Sequence, residues 1–192
     1  MWAKVESGSV TEIYTRPKPL KIGDVQHPKN IFELWSEAEL KAIGIYIVEI
    51  DNTNLKDKEY YYNTNQTFNF ASDKVTARYG SATAKSLTDT TETEGGVTTT
   101  LLGIKNIRKN DINSDAAALL EKHDWMSIRE AEGGTDMPSN IKTWRAAIRT
   151  KANAMCTQID NAANVDALAA LYVYNSDDPP VRPLGEFPDE PS

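Results

Sequence analysis

"IKTWRAAIRTKANAMCTQI", residues 141–159, places Ile141, Trp144, Ile148, Ala152, Met155 and Ile159 at steps of 3, 4, 4, 3 and 4. Steps of three and four keep side chains on one stripe of a 3.6-residue helix, so the stretch predicts a long amphipathic helix. It begins after Ser139 or Asn140, either a suitable cap behind Pro138. Upstream, between Leu101 and Ile128, the residues Leu102, Ile107, Ile112, Ala116, Leu119, Leu120 and Trp125 form a looser stripe. The polar run NDINSD (110–115) is expected to break that helix in two. A third, short helix is predicted at VDALAALY (165–172). Residues 101–174 therefore read as a helical hairpin with an extra turn.

Before residue 88 the period changes to that of strands. KVESGSVTEIYT (4–15) predicts a hairpin around Gly8–Ser9, and RPKPLKIG (16–23) carries too much proline for a central strand. Ser36 with Glu39 three residues on forms a capping-box pattern, and Gly44 follows Ile43, so one short helix is expected over 37–43. It feeds into IYIVEI (45–50), a strand rich in β-branched residues. EYYYNTNQTFNF (59–70) reads as a further hairpin about its asparagines, and KVTARY (74–79) as a strand with Val75, Ala77 and Tyr79 on one face. The fold class is α+β: a small, mainly antiparallel N-terminal sheet with one short helix, then the helical hairpin and an extended acidic, proline-rich tail.

Composition marks the boundaries. Residues 88–100 hold seven threonines, three acids and Gly95–Gly96, which predicts a linker or mobile turn between extended segments. GGTDMPSN (133–140) is a loop between helices. From Asn175 onward the chain holds five of its nine prolines and five acids against one arginine. Such a segment buries too little apolar area to offset its ordering entropy, so order there is expected to need a surface outside this chain's own core. The expected organisation is 1–87, 88–100, 101–174 and 175–192.

A net charge of −7 removes the phosphate-neutralising term on which nucleic-acid binding rests. No segment approaches the roughly 18 apolar residues of a membrane span, and MWAKVESGSV (1–10) lacks the apolar core of a signal peptide. A soluble chain with neither nucleic acid nor membrane as partner is expected. The single cysteine, Cys156, reads as a small buried residue of the long helix.

The most enzyme-like pair is His123 with Ser127, four residues apart on one helical face, and a small hydrolase using them is the rival to a binding role. Adjacent His123 and Asp124 diverge by about 100° on a helix and cannot act as base and orienter. His27 has no ligand-like neighbour, and two histidines with one cysteine at no zinc spacing predict no metal site. GSATAKS (80–86) departs from a phosphate loop at Ala84 and in its glycine spacing, and DNTNLKDKE (51–59) lacks the glycine of a calcium loop. No catalytic residue and no cofactor is expected. NQT (65–67) matches a glycosylation acceptor, relevant only to a secreted chain.

Two surfaces are candidates for protein contact. Arg145 and Arg149, four apart beside Trp144, form a basic face with Arg129 and Lys151, unless these pair with Glu121, Glu130 and Glu132. Tyr60, Tyr61 and Tyr62 in one strand must present aromatic surface on both faces.

LLEKHDWMSIREAEG (119–133) followed by MPSNIKTWRAAIRTK (137–151) resembles the C-terminal helical segment of bacteriophage tail-fibre assembly proteins. The matching positions are Leu119, Leu120, Asp124, Trp125, Pro138, Trp144, Arg145 and Arg149. HPKNIFELWSEAELKAIGIY (27–46) is similar to segments of phage tail proteins that pair a His/Tyr-Pro with a short helix. The family carries threonine where His123 stands. The resemblance implies a non-enzymatic protein in which Asp124 caps or turns the helix end and Trp125 packs on Trp144. It implies binding to a tail or tail-fibre protein, in the host cytoplasm during assembly or in the virion tail, as chaperone or adaptor; homo-oligomerisation stays open.

Overall fold

A computed structural model describes residues 1–191; Ser192, the last residue of the expected tail, lies outside them. The chain divides into two compact units, Met1–Thr83 and the residues from Ala84 onward. The boundary therefore falls before residue 87, and residues 88–100 belong to the second unit.

The first unit contains β1 (Trp2–Glu6), β2 (Ser9–Tyr14), β3 (Leu20–Ile22), β4 (Val25–His27), α1 (Ile31–Leu34), α2 (Glu37–Ala42), β5 (Ile45–Asp51), β6 (Tyr61–Tyr62), β7 (Gln66–Ala71) and β8 (Lys74–Tyr79). Five of these strands form one sheet in the order β2-β1-β5-β8-β7, antiparallel except where β5 and β8 run parallel. The sheet curls until its outermost strands, β2 and β7, approach each other. Alternation then gives two cores. Trp2, Tyr14 and Ile45 point to the face covered by Ile31, Phe32 and Leu40 of α1 and α2. Ala3, Val48, Val75 and Ala77 point into the curl, with Phe68 and Phe70 beside them.

The short helix 37–43 forms as α2. Ser36 Oγ accepts from Glu39 N at 3.3 Å and the Glu39 carboxylate accepts from Ser36 N at 2.8 Å, which satisfies orphan donors at both positions. Three local expectations are corrected. A second helix, α1, precedes α2, and its IFEL is too short to show a period. The first turn lies at Ser7–Gly8, both with positive φ, because the type I′ geometry matches the strand twist and moves the turn one residue earlier. β7 does not pair with β6; it turns at Ser72–Asp73 onto β8, where Phe68 and Phe70 lie opposite Ala77 and Val75.

β9 (Thr83–Ala84) spans the junction, and the second unit holds β10 (Thr90–Glu94), β11 (Val97–Leu101), α3 (Ile104–Glu121), α4 (Asp124–Ala131), α5 (Ser139–Asn161) and α6 (Val165–Ala170). The stretch expected as a linker is a two-stranded antiparallel ribbon, β10–β11, closed by Gly95–Gly96. α3 runs unbroken through NDINSD, because only Ile112 of that run is buried and its polar neighbours face water. It lies antiparallel to α5: Lys105 donates to the Asp160 carbonyl at 2.9 Å and Lys109 pairs with Asp160 at 2.8 Å. All six residues of the α5 stripe are buried, whereas Leu102 and Ile107 of the looser stripe are exposed. α5 starts at Ser139 without a side-chain cap. No helix among the described residues is long and apolar enough to cross a membrane.

Gly44 ties α2 to the sheet. Its φ is +77°, Val5 N donates to its carbonyl at 2.8 Å, and an added Cβ would lie 2.9 Å from the Val5 oxygen. Gly44→Ala is therefore expected to destabilise the first unit by about 1–3 kcal/mol, read as a lower urea midpoint. An unchanged midpoint would contradict this packing.

Candidate partner-binding surface

Trp144 and Arg145 are neighbours on α5, and both are about 5% exposed. A guanidinium that deep needs acceptors. It finds two at the junction of α3 and α4: the Leu120 carbonyl near the end of α3, which also accepts from His123 N at 3.1 Å, and the Asp124 carboxylate at 2.6 Å. Asp124 is the first residue of α4, where its charge also suits the helix N-terminus. Its role is thus to hold Arg145 across the turn, while the N-cap position of α4 is taken by His123, which makes no side-chain cap hydrogen bond. Arg145, expected on a basic contact face, is interior instead. Arg149 is exposed, and its guanidinium donates to the Arg145 carbonyl at 3.4 Å.

The indole of Trp144 does not meet Trp125. The His123 ring stands edge-on to it, with centroids 5.6 Å apart, and Trp144 Nε1 donates to the Pro188 carbonyl at 3.0 Å. Trp125, expected in the core, is 53% exposed, with the Arg129 guanidinium 4.9 Å over its ring. Arg129 is held there by donating to the Thr135 carbonyl at 2.9 Å. Ile128, one turn on, is 58% exposed. Trp125 and Ile128 at i and i+3 thus make an outward apolar face on α4. Glu130 is paired with Lys142 at 2.6 Å, which holds its carboxyl below the usual range. Lys151 donates to the Leu184 carbonyl at 3.0 Å. The expected basic face is dispersed into separate contacts.

The Lys151 contact is to the C-terminal segment, which docks on this chain's own helices. Leu184 is fully buried, and its N–H donates to the Leu171 carbonyl at 3.0 Å. Gly185 has φ +73°, and an added Cβ would lie 2.3 Å from Lys151 Nζ. The Glu190 carboxylate takes Lys122 Nζ at 3.0 Å and lies 2.9 Å from His123 Nε2. Sequence reasoning weighed average composition and missed these anchors; Leu184–Gly185 amid prolines was the available signal.

His123 is thereby committed. Its Nε2 faces Glu190, its Nδ1 is buried without a partner, and no hydrogen bond joins it to Ser127, whose side chain is exposed. Neither nitrogen is presented to a substrate as a base would require. Burial pushes the Cys156 thiol up, away from a reactive thiolate. In the first unit, Tyr60 is buried and cannot serve as contact surface; Tyr61 is half-buried with Lys56 5.8 Å above its ring, and Tyr62 is exposed. No group of three or more His, Cys, Asp or Glu side chains gathers to hold a metal among the described residues.

No family model matches this chain, and no curated protein or solved structure matches it.

Arg145→Ala leaves a buried void and removes the ion pair with Asp124 and one donor to the Leu120 carbonyl, so it is expected to cost about 2–4 kcal/mol of stability, whereas Arg149→Ala should stay within about 0.5 kcal/mol. Urea denaturation of the two variants separates an interior arginine from an exposed one. The Glu190 carboxyl is held below its ordinary value of 4.5, first by the Lys122 hydrogen bond and then by His123. A depressed folded value means that the contact stabilises above the unfolded value and is lost as pH falls through the folded one. Protection factors of the amides at residues 184–190, exchange rates corrected for their intrinsic pH dependence, should therefore fall on acidification below pH 4.5, and Glu190→Gln should be poorly protected already at neutral pH.

Proposed function

We propose that this chain is a non-enzymatic bacteriophage tail-associated protein that acts by protein–protein contact, as a tail-fibre assembly chaperone or as an adaptor kept in the virion. Two things support the reading. Three of the residues that carry the resemblance, Leu120, Asp124 and Arg145, belong to one clasp that sets the angle of α4. What that clasp presents is the observation that carries the proposal: Trp125 and Ile128, side by side on an exposed helix face with Arg129 stacked on the indole. Aromatic residues and arginine concentrate the energy of protein interfaces, and an exposed tryptophan held rigid loses little entropy on binding.

The partner is a tail or tail-fibre protein. A chaperone releases that surface after the fibre trimerises, and an adaptor keeps it covered. Co-expression with the neighbouring fibre gene distinguishes them: fibre trimers that need this chain identify a chaperone, and its presence in purified virions by mass spectrometry identifies an adaptor. Fibre trimers that form equally well without it, together with its absence from virions, would sink both.

Trp125→Ala is expected to weaken capture of the fibre protein at least about 30-fold, as truncation of a central aromatic anchor does. The urea midpoint should stay within error, because the ring is largely in water already. Equal capture by the variant excludes this face.

A further inference from the structure

The geometry points to self-association of this protein: the free edge of β11 pairs antiparallel with β11 of a second copy, which makes a four-stranded sheet from two ribbons. Every residue of β10 and β11 is exposed, and each strand has only the other as neighbour. The ribbon is nevertheless held in place. Asp89 accepts from Gly103 N and from Asn106 Nδ2, both at 2.8 Å, which roots it on the first turn of α3.

Charge selects the edge. β10, TTETE, carries Glu92 and Glu94, so two copies of it would set carboxylates side by side. β11, VTTTL, has no charge, no proline and no bulge, the devices by which exposed edges are normally blunted. It is also self-complementary. About a twofold axis at Thr99, Val97 of one copy lies opposite Leu101 of the other, and Thr98 opposite Thr100. A twofold contact requires this reciprocity.

The hydrogen bonds follow from the turn. Gly95 and Gly96, both at positive φ, make a two-residue turn, so Glu94–Val97, Glu92–Thr99 and Thr90–Leu101 are the pairs bonded within the ribbon. Thr98 and Thr100 therefore turn their N–H and C=O groups outward, and the antiparallel mate offers the same groups in the same register. Thr99 meets Thr99 of the second copy as a non-hydrogen-bonded pair, the spacing at which Cα atoms come closest and a disulfide fits.

Edge pairing over five residues is small, so the test uses the full chain at about 1 mM by sedimentation. The wild type should sediment at twice its 21.3 kDa. Thr98→Pro deletes an outward N–H, Thr99→Lys sets two cations on the axis, and both should sediment as monomers with unchanged circular dichroism. In a Cys156→Ser background, Thr99→Cys should give a disulfide-linked dimer on oxidation, and Thr91→Cys on β10 should not. A monomeric wild type, a dimer that survives Thr99→Lys, or equal cross-linking at both positions overturns the proposal.

Discussion

A guanidinium almost wholly withdrawn from water, that of Arg145, constrains the second unit more than any other group. Its ion pair, with the Asp124 side chain 57% exposed, gives little net stability, but leaving the interior guanidinium without acceptors is costly. Its effect is therefore on geometry. The clasp on the Leu120 carbonyl and Asp124 fixes where α3 ends and how α4 departs. The stability comes from the stripe of α5, where burying each large apolar side chain is worth about 1.5–3 kcal/mol. The exposure of Trp125 then follows. His123 is turned to Trp144 and Asp124 to Arg145, and successive residues of a helix diverge by about 100°, so Trp125 is carried away from both and into solvent.

The same argument explains the C-terminal segment. Its mean composition cannot support a core, yet docking rests on a few positions. Leu184 is interior, Gly185 provides the backbone shape that Lys151 requires, and Glu190 joins two groups at the turn after α3. Upstream of them Asn175 Oδ1 accepts from the N–H groups of Asp177 and Val181, so Pro179 and Pro180 lie inside a closed loop. Trp144 anchors both ends of this arrangement, with its face to His123 and its N–H to Pro188. A tryptophan was needed there because a smaller aromatic would leave that carbonyl without its donor.

Periodicity was legible wherever it was long. The α5 stripe, the capping box at Ser36 and the strands of KVTARY and IYIVEI could be read because each rests on local rules. What could not be read depends on pairing between distant residues. Nothing near Phe68 says that β7 pairs forward with β8, and nothing near Arg145 says that its partner lies across a turn at Asp124. The resemblance put Trp125 on Trp144, and both sit in apolar stripes, yet spacing alone does not tell which neighbour occupies a seam. Tyr60 failed differently: it lies in the turn before β6 rather than in the strand, its N–H donating to the Asp57 carbonyl, and it is buried there.

The threonines of 88–100 misled for a different reason. A two-stranded ribbon without a buried face is marginal in water, so a polar run with two glycines reads as a linker. Its order comes from local terms that composition does not register. Gly95–Gly96 permits the I′ turn, and the β-branched threonines favour extended backbone. The hydroxyls of Thr93 and Thr98 bond across the strands at 3.0 Å, a cross-strand contact of about 0.2–1 kcal/mol. At the base, Asp89 supplies the acceptor that the backbone N–H of Gly103 lacks at the start of α3, while Lys105 N donates to the Leu87 carbonyl. The ribbon thus borrows its rigidity from the helix that follows it. It has no core of its own to protect, and so can leave both faces in solvent.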